Sequence, residues 1–228
     1  MKFTTDKEMF ACMKAELYSA VITDVMDGMG LDHQFLPPAI RPLMDDMIIA
    51  GRAFTVQEAD CCGDHVAAHD DKKEAFGIMF EALDSLKEDS IYCCTGSSYN
   101  YACFGELMCT RAKHLKAAGA VIDGYVRDTR MLKKMGVPIF SAGTYAQDQG
   151  IRGRVIDYNC PIEFKNRVRV NPGDILFGDI DGVVAIPHEH ETEVLTKALE
   201  KVHGESKVRD AIRAGMPTVE AFRTFGIM

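Results

Sequence analysis

Residues 119–143 read GAVIDGYVRDTRMLKKMGVPIFSAG, and this stretch constrains the fold more than any other. Two apolar runs, AVIDGYV at 120–126 and VPIFSAG at 137–143, have strand composition. They flank a short helical pattern, TRMLKKMG, that Gly136 closes. Strand–helix–strand spacing of this kind argues for a parallel βαβ unit. The first run is apolar enough to be buried, yet it ends on Arg127 and Asp128, opposite charges side by side. Either the pair is an ordinary solvated strand end or it delivers chemistry there. Periodicity alone leaves both readings open.

Around this unit the pattern predicts a mixed α/β chain with a β-rich centre and peripheral helices. Helices are expected over 7–17 and over 19–30, the second with Ser19 as N-cap and Gly30 just past its end. IIAGRAFTVQEA at 48–59 reads as a strand, 64–86 as helical in two pieces, and SIYCCTG at 90–96 as a short strand. FGELMCTRAKHLKAAG at 104–119 has helical spacing, with Gly119 closing it. After residue 150, GRVIDYNCPIEF, RVRV and DILFGDIDGVVAIP are β-rich segments parted by turn signals at NPGD and DIDG. Asp179 and Asp181 are read as turn residues. A long charged helix over about 189–214, opened by HEH, precedes a tail ending FGIM. No repeat or linker divides the chain, so 1–228 is expected to be one domain.

The formal net charge is −8, which argues against non-specific nucleic-acid binding and against an anionic membrane surface. No stretch approaches the ~20 apolar residues of a membrane span. The charged N-terminus lacks the apolar centre of a signal peptide, so a cytoplasmic protein is expected. The eight cysteines include vicinal pairs at 61–62 and 93–94 but no C-x-x-C. They are read as small buried or semi-buried residues in a reducing compartment rather than a zinc site.

Chemistry is legible at two places that the topology should join. Gly105, Glu106, Leu107 and Met108 lie where a helix begins, and its free N–H groups and dipole can accept an anion. Arginine grips a carboxylate bidentately, and aspartate is a hard oxygen ligand for Mg²⁺ or Mn²⁺. Glu106 precedes Arg127 by one crossover, whose ends should meet at the carboxyl end of a parallel strand. His65 and His69 are four apart, but no third metal ligand is evident. Lys113 and Lys116 are expected on solvated faces, so no Schiff-base lysine is called for.

The acidic-x20-Arg-Asp pattern in the context GEL…GAVIDGYVRD resembles the class II pyruvate aldolases that cleave 4-hydroxy-4-methyl-2-oxoglutarate. These are relatives of the regulator of ribonuclease activity A. SAVITDVMDGMG, GRAFTV, GDHVAAHD, VPIFSAG and NPGDILFGDIDGVVAIP resemble further motifs of that family in the same order. The resemblance implies an RraA-like β/β/α, swivelling-domain-like fold with a long C-terminal helix. It implies a homo-oligomer, a trimer or a dimer of trimers, with sites between subunits. By the same resemblance Asp128 is associated with the divalent metal, Mg²⁺ or Mn²⁺. Arg127 contacts a small 2-oxoacid and stabilises its enolate, and Glu106 handles the proton. The amides of residues 105–108 receive the pyruvate carboxylate. A glutamate from a neighbouring subunit's C-terminal helix completes the site. Glu205 is the best candidate, with Glu191, Glu193 and Glu200 as alternatives.

The expected activity is therefore metal-dependent carbon–carbon cleavage of a 4-hydroxy-2-oxoacid to pyruvate, with oxaloacetate decarboxylation as a side activity. The competing expectation is a protein-binding regulator of ribonuclease E without aldolase activity. The complete acidic-x20-Arg-Asp set favours the enzyme. No glycine-rich nucleotide loop supports a methyltransferase.

Overall fold

A computed structural model describes residues 3–61 and 76–226. The chain runs α1 (Asp6–Glu16), α2 (Ser19–Gly28), β1 (Arg41–Pro42), β2 (Ile49–Asp60), α3 (Met79–Asp84), β3 (Ser90–Thr95), β4 (Ala102–Phe104), α4 (Glu106–His114) and β5 (Gly119–Val126). It continues through α5 (Thr129–Met135), β6 (Ile139–Thr144), β7 (Gly153–Tyr158), β8 (Ile162–Glu163), β9 (Arg169–Val170), β10 (Ile175–Asp179) and β11 (Gly182–Ile186). A 3-10 turn (His188–His190), the long α6 (Glu191–Arg213) and α7 (Thr218–Phe225) follow.

Among the described residues nine strands form one sheet in the order β1-β6-β5-β3-β2-β10-β11, with β4 beside β5 and β7 beside β2. The expected βαβ unit is β5–α5–β6, whose strands pair in parallel. A second crossover, β4–α4–β5, lies next to it, again in parallel. β10 and β11 pair antiparallel, and β10 adds antiparallel to β2. The sheet curls until its edge strands β1 and β11 approach, where the Arg41 guanidinium donates to the carbonyls of Ile180 and Asp181.

The central strands are buried on both faces, which is why they read as continuous apolar runs. Along β5, Ala120, Ile122 and Val126 pack with residues of α3, α4 and α5, whereas Val121 points into the interior of the curled sheet beside Ile91, Phe140 and Leu176. The vicinal pair in β3 divides the same way. Cys93 joins the interior cluster and Cys94 the helix-side cluster. Both are fully buried, as the sequence led us to expect. A third apolar cluster joins α1, α2 and α6 to β10 and β11.

Several expectations are corrected. Ser19 is the first residue of α2 and Tyr18 occupies the N-cap position. Ser19 does not cap, because its N–H and hydroxyl both donate to Asp179, each at 2.7 Å. Asp179 also accepts the Asp181 N–H at 3.0 Å, so this turn residue of the β10–β11 hairpin serves the start of a helix as well. Gly119 does not close α4; it opens β5. Lys116, at φ 60°, turns the chain after the helix. A Cβ on Gly119 would lie 2.1 Å from the Pro138 carbonyl oxygen, so glycine serves close strand contact there. Of the helical region expected over 64–86, α3 is described; residues 62–75, with His65 and His69, lie outside the described residues. The tail is a helix, α7, started after Pro217 and closed by Gly226 at φ 69°.

β2 carries one unexpected group. Glu58 is 1% exposed, and neither carboxyl oxygen has a hydrogen-bond partner among the described residues. Burial, then the neighbouring Cys103, pushes its pKa up to about 9. The folded chain therefore holds Glu58 protonated at neutral pH, whereas the unfolded chain ionises it above about 4.3. Stability from this group is present below that unfolded pKa and is lost as pH rises toward 9. Glu58→Gln should raise stability at pH 8 by on the order of 2 kcal/mol, with the gap to the parent narrowing toward pH 5 in thermal melts. Asp179→Ala strands the Ser19 N–H and should cost about 2 kcal/mol. That loss would appear as a fall of roughly 4–8 °C in melting temperature.

Candidate active site

The two crossovers bring their ends to one place. Arg127 N–H donates to the Phe104 carbonyl at 2.9 Å, which ties the end of β5 to the end of β4 immediately before α4 starts. The β5–β6 register is irregular between Ile122 and Tyr125. Such irregularities re-aim the residues that follow. Asp123 anchors this stretch. Its fully buried carboxylate accepts from the Thr95 hydroxyl and the Lys165 N–H, each at 2.9 Å, and Lys165 Nζ lies 3.5 Å away.

Asp128 has φ 56° and ψ 30°, a left-handed conformation that aspartate tolerates better than most residues. It occupies the N-cap position of α5, with its carbonyl accepting from Met131 and Leu132. The turn swings the carboxylate back toward α4, where Oδ2 accepts the Glu106 N–H at 3.1 Å. Gly105, the N-cap of α4, makes this approach possible. A Cβ there would lie 2.9 Å from Asp128 Oδ2 and 3.3 Å from Arg127 Nε. The N–H groups of Leu107 and Met108 belong to the first turn and have no acceptor among the described residues.

These groups border a cavity of about 250 Å³. Gly105, Glu106, Leu107, Met108, Arg127 and Asp128, all expected at the site, line it together. The Glu106 carboxylate accepts the Thr110 hydroxyl through Oε1 at 3.1 Å, leaving Oε2 without a partner among the described residues. The Arg127 guanidinium lies 3.9 Å from Asp128 Oδ2 through Nε, and its Nη1 reaches Asp148 Oδ1 at 3.1 Å.

Asp148 was not read from the sequence. It follows β6, and the strand after a βαβ crossover returns its carboxyl end to the same crevice. An acidic residue in that loop was therefore a findable partner for Arg127. Gln149 beside it is also missed; it is 2% exposed and lines the cavity. Glu205 stands elsewhere. It lies on α6, where its carboxylate accepts the Tyr18 hydroxyl and comes within 4.0 Å of Lys201 Nζ, and it does not line this cavity. Glu191 is engaged by Arg52 and Glu193 by Lys197. Lys113 and Lys116 are exposed, as expected, and Lys113 Nζ donates to the Met135 carbonyl at the end of α5.

The donor set can serve a hard cation. Among the described residues no three His, Cys, Asp or Glu side chains converge into a cage. Mg²⁺ needs no cage, because it commonly takes one or two carboxylates and fills the remaining positions with water and substrate oxygens. Asp128 offers such a carboxylate, held at one oxygen by the Glu106 N–H. No described helix is long and apolar enough to cross a membrane.

Residues 19–185 match a family model described as RraA-like: Aldolase/RraA. Protein DlpA of Legionella pneumophila is 28% identical over 204 residues, covering 89% of this chain; the chain spans only 31% of DlpA's length. A protein of Halalkalibacterium halodurans named "Putative 4-hydroxy-4-methyl-2-oxoglutarate aldolase" is 33% identical over 203 residues, 88% of this chain and 87% of that one. Streptomyces coelicolor RraAS2, described as an unusual member of the RNase ES inhibitor RraA protein family, superposes with a TM-score of 0.76 at 21% identity. That superposition covers 92% of this chain and 99% of RraAS2, and it shows a shared fold.

Proposed function

The chain belongs to the RraA-like family, as its motifs led us to expect, and we propose that it is a divalent-metal-dependent lyase cleaving a 4-hydroxy-2-oxoacid to pyruvate. One observation carries this reading. A guanidinium, a carboxylate in left-handed conformation and the open amides of a helix start share one small cavity at the carboxyl end of a parallel strand.

The roles follow from the chemistry of each group. The Leu107 and Met108 N–H groups donate to the substrate carboxylate, aided by the positive end of α4. Arg127 donates to the ketone oxygen, where negative charge develops as the C3–C4 bond breaks. Asp148 takes one guanidinium nitrogen and thereby sets the plane from which the others donate. Glu106 takes the proton of the 4-hydroxyl, directly or through a water, and the same relay returns a proton to C3 of the enolate. A cation held by Asp128, Mg²⁺ or Mn²⁺, would supply Lewis-acid polarisation of the 2-oxoacid. Loss of CO₂ from oxaloacetate leads to the same enolate, so decarboxylation is proposed as a side activity.

We place Glu205 in a neighbouring subunit's site within a trimer or a dimer of trimers, on the family resemblance alone. The described cysteines are all free thiols, which suits a reducing cytoplasm.

The test is coupled pyruvate release from 4-hydroxy-2-oxoacids and oxaloacetate, with Mg²⁺ or Mn²⁺ or with EDTA. Activity should vanish in EDTA. Arg127→Ala should lower kcat by about 10²–10³-fold. Asp128→Asn, which keeps the left-handed turn, should fold normally and lose metal-stimulated turnover. Pyruvate from no substrate would turn the assignment toward a non-enzymatic regulator.

A further inference from the structure

The cavity has two unlike ends. Its polar end holds Arg127, Asp128 and the α4 amides; its other wall is apolar, with Phe76, Met79, Phe80 and Leu107. Phe76 and Phe80 meet edge to face at 5.6 Å. Phe80 is 51% exposed and Leu107 78%, so large apolar surface is left open at the mouth of a polar site. Among the described residues the lining carries three carboxylates, Glu106, Asp128 and Asp148, against one guanidinium. That guanidinium is already shared with Asp148. A second anionic group on the substrate would meet this field with no further lysine or arginine among the described lining residues. Gln149 adds a neutral donor, because its buried side-chain Nε2 has no acceptor among the described residues.

We propose that the substrate is a 4-hydroxy-2-oxoacid whose distal end is an alkyl or aryl group rather than a second carboxylate. This deepens the aldolase reading and rests on it. The 2-oxoacid head sits at the Arg127 end, the tail lies along Phe76, Met79 and Phe80, and the Gln149 amide donates to the oxygen on C4. For 4-hydroxy-2-oxoheptanoate the balance is simple. The proton leaves the 4-hydroxyl and the C3–C4 electron pair moves toward the C2 oxygen. C4 becomes the carbonyl carbon of butanal, and C3 takes up a proton to give pyruvate. No oxidant or reductant is needed.

Two measurements test it with the full chain and Mg²⁺ present. The first compares kcat/KM for pyruvate release from 4-hydroxy-2-oxoheptanoate and from 4-hydroxy-2-oxoglutarate. The second compares calorimetric binding of 2-oxoheptanoate and 2-oxoglutarate, which lack the 4-hydroxyl and cannot be cleaved this way. The alkyl compound should lead by about tenfold or more in both, the scale on which apolar pockets discriminate. Phe80→Arg, at a half-exposed position, should shrink or reverse that lead while leaving the melting temperature near the parent's. A parent that releases pyruvate but favours the dicarboxylate overturns this inference and leaves the aldolase assignment standing. A lead that persists unchanged in Phe80→Arg and in Phe76→Ala also overturns it. No pyruvate from either substrate, with neither analogue bound, overturns both.

Discussion

Burial of β5 on both faces is the constraint on which the rest of the site depends. A strand packed on one side by helices and on the other by the interior of a curled sheet has no freedom to slide or roll. Its last residues are therefore delivered to a defined place. The buried Asp123, anchored by Thr95 and Lys165, sits where the β5–β6 register shifts. Beyond that irregularity the chain leaves the sheet as Arg127 and Asp128. The Arg127–Asp128 pair inherits its placement from the buried core beneath it.

The electrostatics are arranged by contact distance rather than by depth. Arg127 and the three nearby carboxylates are partly solvated, so their mutual attraction contributes little to stability. Its effect is orientation. Asp148 holds one side of the guanidinium, and the first amide of α4 holds one oxygen of Asp128. The bare backbone of Gly105 leaves room for both, since a Cβ there would lie 2.9 Å from Asp128 Oδ2 and 3.3 Å from the Arg127 side chain. One missing side chain thus sets the spacing of the helix start, the cation and the anion.

The parallel unit and the site pair were legible because strand and helix periodicities differ sharply over residues 119–143. Other features hid for identifiable reasons. Gly119 has the same appearance whether it caps a helix or lets two backbones approach, and only its φ of 153° and the nearby Pro138 carbonyl separate the two uses. Ser19 looks like a cap because its composition is right, but the competing acceptor, Asp179, is 160 residues away. Glu58 looks like an ordinary polar position in a strand, and its burial comes from packing that no local pattern encodes. Asp148 and Gln149 are separated from Arg127 by a helix and a strand. Their meeting depends on where β6 ends, which periodicity places only loosely. Cys93 and Cys94 were read correctly as buried, though not as belonging to opposite faces of one strand.

The left-handed turn at Asp128 couples two requirements in a single residue. Its backbone must bend as few side chains allow, and its carboxylate must carry the charge of the site. Asparagine or glycine satisfies the first requirement and abandons the second. The bend sets the start of α5, and β5 pairs with β6 through its own backbone ladder. A lineage could therefore lose the proposed reaction in one step and keep the whole framework intact. On such a framework, catalytic and non-catalytic forms would differ little in shape, and the residue at this bend would tell them apart better than the fold.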